Sequence, residues 1–278
     1  MVGLRREKSL FDSSDSVILM TFTDAKNRFS NRAADYVRYR PGYPPALLDL
    51  LRAECGLRSG HVIADVGSGT GFLCELFLQN GNRVFGVEPN EAMRQAGEEY
   101  LASYDGFASV NGSAEATTLD DASVDFVTAG QAFHWFDQDA ARREFARILK
   151  SPAWVVVLWN DRRISETQFG RGYEDLLVRY GTDYQRVRDA YPEVGDIRKF
   201  FGEGNFSARE LPNEQTLDWE GLAGRLRSSS YAPQAGHPDF APMMAALEEL
   251  FRANQQDGRV RMQYTTQIYL GQLKPGGK

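Results

Sequence analysis

The chain has 278 residues, of which 42% are hydrophobic and 25% charged, with a formal net charge of -6 at pH 7. That supplies a sizeable core for one large α/β domain, or for one domain with an elaborate insertion, and excludes disorder as the dominant state. The acidic balance argues against a polyanionic partner, because nucleic-acid binding leaves a basic footprint.

The two cysteines, Cys55 and Cys74, form neither a metal-type pair nor a disulfide framework, and read as buried thiols in a reducing, cytoplasmic compartment. His61, His134 and His237 have no metal-ligand spacing. No run approaches the roughly 18 apolar residues of a membrane span. Arg5, Arg6 and Lys8 precede only a short apolar patch, Val17 to Met20, well under the ~7–15 residues of a secretory core. Residues 1–27 are therefore expected to be a poorly ordered tail, with Met20 as an alternative start to Met1.

The ordered chain, 28–278, opens on a polar-aromatic stretch, after which Pro44 and Pro45 start a helix carrying Leu47, Leu48, Leu50 and Leu51. His61 to Val66 reads as a short apolar strand. Phe72 to Gln79 is a helix stopped by Asn80-Gly81, Arg83 to Glu88 a second strand, and Asn90 to Tyr104 a second helix. A third strand lies near Ala108 to Asn111, a fourth at Val124 to Ala129, a third crossover helix at Ala140 to Leu149, and a fifth strand at Ala153 to Trp159. Continuous apolar strands alternating with helices predict a doubly wound, mostly parallel sheet buried on both faces. Beyond Asn160 the alternation stops. Ser165 to Phe201 reads as helical, Phe206 to Trp219 as a strand with a turn at Pro212-Asn213, 220–232 and 239–254 as helices, and Arg259 to Leu273 as a final strand or hairpin.

The sharpest signal is Asp65-Val66-Gly67-Ser68-Gly69-Thr70-Gly71-Phe72, where a strand runs through three glycines straight into a helix. Glycine permits positive φ and lets a ligand lie against the main chain, and such turns sit at the ligand-binding edge of α/β sheets. A dinucleotide fingerprint needs Gly-x-Gly-x-x-Gly, but Phe72 stands at its third glycine. Asp65 would repel a pyrophosphate and suits an ammonium group. Glu88, ending the second strand, is placed to accept hydrogen bonds from ribose hydroxyls.

Asp65-x-Gly67-x-Gly69-x-Gly71 followed by Glu88 resembles the class I S-adenosylmethionine-dependent methyltransferases. The likeness continues through 111–127, 131–137 and 143–150 and spans roughly 29–160. Tyr36-x-x-Tyr39-Arg40-Pro41-x-Tyr43-Pro44 and His134-Trp135 carry a narrower similarity to small-molecule enzymes of the trans-aconitate methyltransferase kind. The resemblance implies a Rossmann-like, seven-stranded sheet with an antiparallel C-terminal edge and a helical cap, the cofactor core falling in 28–160 and the cap helices and edge strands in 161–278. It implies S-adenosylmethionine as cofactor, S-adenosylhomocysteine as its product, and a small-molecule acceptor, with no nucleic acid or membrane partner.

Residue by residue, the resemblance gives Gly67, Ser68, Gly69 and Gly71 to the cofactor loop, and Asp65 to the amino end of the methionine moiety, directly or through water. It gives Glu88 and Pro89 to the ribose end. Met93 either packs its helix or meets the adenine, and Gln131 either caps the fourth strand or lies under the methionine part. Tyr36 and Arg40 are candidates to cover the cofactor. Ser113 replaces the family's adenine-binding aspartate, which leaves the adenine to backbone groups of Ala114 and Glu115. Lys150-Ser151-Pro152-Ala153 replaces its Lys-Pro-Gly-Gly turn. His134, Trp135, Arg162, Arg163 and Tyr231 are substrate-pocket candidates, each also readable as a structural or surface residue. His134 would take a proton if the acceptor is a hydroxyl or amine, whereas a carboxylate acceptor needs no base. The competing readings are a nicotinamide- or flavin-dependent oxidoreductase and a non-catalytic protein that holds the methyl donor.

Overall fold

The computed structural model describes residues 37–189, 194–202 and 205–273. The expected tail (1–27), the Met20 start and Tyr36 lie outside these residues. Helix α1 (Ala46–Cys55) starts behind Pro45 and ends at Gly56, whose φ of 66° gives a left-handed cap. Strand β1 (Val62–Val66) leads to α2 (Phe72–Gln79), β2 (Arg83–Val87), α3 (Glu91–Tyr100), β3 (Phe107–Val110), β4 (Val124–Gly130), α4 (Gln138–Ile148) and β5 (Leu149–Arg162). Helices α5 (Gln168–Tyr180), α6 (Tyr184–Asp189) and α7 (Val194–Phe201) follow, then β6 (Phe206–Leu217), α8 (Trp219–Arg227), α9 (Phe240–Asn254) and β7 (Val260–Gln272). Side-chain caps fix several starts, as the preference of Asn, Asp and Thr for that position predicts. Asn90 accepts from the Met93 N–H, Asp137 from Ala140, Thr167 from Gly170 and Asp218 from Gly221.

The seven strands form one sheet in the order β3-β2-β1-β4-β5-β7-β6. The pairs from β3 to β5 are parallel, and β7 runs antiparallel to both β5 and β6. Alternate residues of each strand enter different cores, as a two-residue period requires. Val155, Val157 and Trp159 join α4 and α7 on one face, while Val156 and Leu158 meet α1 and α2 on the other. The C-terminal half therefore supplies α7, β6 and β7 to the same cores as the first 160 residues.

Two local expectations change. Phe206–Leu217 is one uninterrupted strand with no turn at Pro212-Asn213. Pro212 is accommodated because β6 is the last strand of the sheet, where a missing N–H is tolerated. The fifth strand is longer than its apolar run, extending to Arg162 opposite Tyr264. These long strands project beyond the parallel half and carry a third core, in which α5, α6, α8 and α9 bury Tyr173, Leu177, Leu226, Met243 and Leu247.

Candidate functional site

The carboxyl ends of β1 to β4 converge on a crevice built around the glycine loop. Gly67, Gly69 and Gly71 have φ of 69°, 57° and 91°. A Cβ on Gly67 would stand 2.5 Å from that of Ala132, so the loop also needs the space. The Gly67 and Ser68 N–H groups donate to the Val87 carbonyl at 2.8 and 3.1 Å, tying the loop to the end of β2.

Glu88 organises this corner. Its Oε2 accepts from the Gly69 N–H at 3.0 Å and its Oε1 from the Asn90 N–H at 2.8 Å. Burial raises its carboxyl above the usual range, and the two N–H donors pull it back. Asp65 is 1% exposed. It accepts from the Thr128 hydroxyl at 2.8 Å and the Cys74 thiol at 3.2 Å. Burial pushes its pKa up to about 7, against the lowering effect of these two donors. An acid raised in the folded state holds a proton that the unfolded chain has lost, so this group makes the ligand-free protein less stable as pH rises from ~4 to ~7.

The far wall starts where β4 ends. Gln131 has φ of 58°, a conformation that side chains other than glycine rarely adopt. Its Oε1 is buried with no hydrogen-bond partner. Phe133 sits in the core and fixes a short 3-10 turn, Phe133–Trp135, that presents His134 and Trp135. Burial lowers the His134 imidazole to about 4, so it is neutral at pH 7.

A five-residue strap, 39–43, roofs the site. The ring of Tyr39 lies where a Cβ on Gly224 of α8 would be, and its hydroxyl donates to Glu220 at 2.9 Å. Arg40 donates to the Ser228 carbonyl at 2.9 Å. The Gly42 carbonyl accepts from both Asn160 and Asn213.

Two cavities result. The first is lined by Asp65, Gly67, Ser68, Gly69, Phe72, Glu88, Pro89, Met93, Ser113, Ala114, Glu115 and Gln131, with Arg40 and Trp135 at its margin. The sequence-predicted cofactor residues thus come together here, with two exceptions. Tyr36 lies outside the described residues, and Gly71 caps α2 against Leu101 without lining the cavity. Three carboxylates, from Asp65, Glu88 and Glu115, face one guanidinium, which suits a cationic ligand rich in hydroxyl groups and repels a diphosphate. Glu115 accepts from the Asp137 N–H through Oε1, while its buried Oε2 has no partner.

The second cavity shares Arg40, Gln131 and Trp135 with the first and adds His134, Arg162, Tyr184, Arg188, Arg225 and Tyr231. Arg162 donates to Tyr231 at 3.1 Å, to Tyr184 at 2.6 Å and to Glu174 at 3.2 Å. Arg163 does not belong to this pocket. It follows the end of β5 and pairs with Glu166 on the exposed side. Arg225 and Arg188 were not singled out from sequence. Arg225 had a signal, an arginine at core spacing between Leu222 and Leu226; Arg188 had none. Among the described residues no cluster of three metal-ligating side chains occurs and no helix is long and apolar enough to cross a membrane.

Part of the chain is similar to known proteins. Residues 64–157 match the family described as a methyltransferase domain. An uncharacterized methyltransferase of Schizosaccharomyces pombe is 34% identical over 141 residues, covering 48% of this chain and 53% of that protein. One of Mycobacterium bovis is 34% identical over 139 residues, covering 50% and 54%. The chain thus spans about half the length of these two relatives. A second S. pombe protein, described as methyltransferase-like, is 25% identical over 256 residues and covers 89% of this chain and 96% of its own length. Among solved structures, one from Anaeromyxobacter dehalogenans, described as a candidate type II methyltransferase, superposes with a TM-score of 0.61 at 23% identity. It covers 85% of this chain and 99% of its own and shares the fold. The matched segment, 64–157, is similar to a methyltransferase domain and holds the glycine loop, Glu88 and the end of β4.

Proposed function

We propose that the chain transfers the methyl group of S-adenosylmethionine to a small-molecule acceptor held in the second cavity. The observation that carries this reading is the pairing of an acid-lined glycine crevice with a second, cationic cavity across a wall of Arg40, Gln131 and Trp135. The crevice residues fit the donor. The partnerless Gln131 Oε1 offers an acceptor for an amino group, Glu88 keeps lone pairs for ribose hydroxyls, and Glu115 Oε2 can take the adenine amine in place of the aspartate missing at Ser113. Met93, 4% exposed and lining the crevice, serves both packing and adenine contact.

The bound donor supplies a methyl on a sulfonium already activated for displacement. The protein's contribution is orientation, worth up to ~7–11 kcal/mol when the reacting atoms are held in line. Trp135 presents an aromatic face at the shared wall, where cation–π attraction favours a sulfonium. A carboxylate acceptor reacts as it stands. For a hydroxyl or amine, the imidazole of His134 lines the acceptor side in its neutral, proton-accepting form, although burial makes it a weak base. This reading makes the protein a cytoplasmic enzyme that works without nucleic acid or membrane.

Calorimetric titration with S-adenosylhomocysteine, followed by turnover of labelled donor against small acids, phenols and amines, tests the proposal; absence of binding rejects it. The pH dependence gives a sharper check. An ammonium ligand favours the ionised form of Asp65, so affinity rises with pH through about 7, by about tenfold between pH 6 and 8. Asp65→Asn binds more weakly, with a flat profile.

A further inference from the structure

Among the described residues that line the second cavity, arginines outnumber carboxylates. Arg40, Arg162, Arg188 and Arg225 line it, with Asp161 as the one carboxylate among its lining residues. Behind the wall, Glu174 pairs with Arg162 and Arg188 together. Arg225 is different. It is 4% exposed, and among the described residues no carboxylate stands within ion-pair distance of it. Its Nη1 donates to the Ser229 hydroxyl at 3.0 Å, and its buried Nε has no partner. A guanidinium kept from water without a counter-charge destabilises a fold, so its retention calls for an anion from outside.

The surroundings keep that charge in place. Burial and the neighbouring Arg162 work against the protonated form, while the phenols of Tyr264, Tyr173 and Tyr231 favour it. Ser228 donates to the Arg225 carbonyl at 2.8 Å, holding the end of α8. Burial pushes the Tyr231 phenol up, and the arginines Arg162, Arg225 and Arg40 around it pull it down. Arg225 lines the second cavity only, whereas Arg40, Gln131 and Trp135 line both. An anion clasped at Arg225 therefore sits away from the wall across which a methyl would pass. Ile164, Val187 and the Tyr184 ring also line this cavity and suit a carbon skeleton.

We propose that Arg225, with Tyr231 and Arg162 beside it, anchors the acceptor by a carboxylate, so that the acceptor is a small organic acid whose methyl-accepting atom lies at its other end, against Gln131 and Trp135. This rests on the methyltransferase reading for the word acceptor, and makes Arg225 a positioning residue.

The test loads the protein with S-adenosylhomocysteine and titrates it calorimetrically with phenylacetate, glutarate, phenylacetamide and inorganic phosphate. At least one acid binds, and the amide does not. Arg225→Met weakens the acid at least tenfold and leaves the homocysteine product's affinity unchanged. Ligand-free Arg225→Met melts at or above the wild type, because an uncompensated buried charge has gone; an arginine needed only for structure would give the opposite. Arg225→Lys keeps the charge without the planar fork and weakens acid binding, which serves if the methionine variant does not fold. The proposal is overturned if no acid binds, if acid affinity in either variant stays within threefold of wild type, or if phosphate binds as tightly as the acids. If the wild type takes up no S-adenosylhomocysteine, the methyltransferase reading fails, and the acids titrated into the free protein still decide the anchor.

Discussion

Glu88→Ala is expected to weaken S-adenosylhomocysteine binding by at least about a hundredfold. Two effects add. The carboxylate accepts the Gly69 and Asn90 N–H groups, so its removal leaves two donors at the crevice floor without their partner, at a cost of about 1–3 kcal/mol each. The ribose hydroxyls lose a charged acceptor as well, worth about 1.5–3 kcal/mol per bond, and each 1.4 kcal/mol is tenfold in affinity. Glu88→Gln keeps one acceptor oxygen but turns an amide NH2 toward one of the two N–H groups, and should fall between. Calorimetry reads both variants. A dissociation constant for the alanine variant within threefold of wild type would show that the corner holds its shape without the acid and that ribose is bound elsewhere.

Glu174→Ala is expected to cost about 3–5 kcal/mol of folding stability. Glu174 is a buried hub. Oε1 accepts from Arg188 at 2.6 Å, and Oε2 accepts from Arg162 at 3.2 Å and from the Tyr184 hydroxyl at 2.6 Å. Its side chain is 10% exposed and that of Arg162 15%, so solvent screens the pair little. Removing the acid strands Arg162 in the cap core against Tyr173 and Tyr184. Urea unfolding measures the change, as a lower midpoint at unchanged slope. Glu174→Gln, which keeps an acceptor while losing the charge, should lose less. A loss below about 1 kcal/mol for the alanine variant would mean that water already reaches this network.

Much of the parallel half was legible because its signals are local. Phe72 to Gln79 and Arg83 to Val87 are bounded by glycines and asparagine, and the spacing from Asp65 to Glu88 follows from one short crossover helix joining two neighbouring parallel strands. The second half was less legible because its determinants are distant. Pro212 looks like a turn until β6 is known to be the edge strand. Arg162 and Arg163 look alike in sequence, and only the pairing of β5 with β7 decides which of them enters the cap. Asp65 reads as a ligand-facing acid, yet its two oxygens also serve Thr128 and Cys74, contacts that span β4 and α2. Arg225 stands at core spacing between Leu222 and Leu226, but its burial depends on α8 being sandwiched between the strap and the third core.

The roof over the two chambers hangs from few hooks. One carbonyl, that of Gly42, is gripped by amides from two different strands, while Tyr39 and Arg40 are fastened to α8. Because Arg40 of this strap lines both compartments, lifting it to let one guest in also bares the other. Traffic through either door is thereby tied to a single latch, and softening it by Asn160 or Asn213 substitution would loosen the hold on both guests at once.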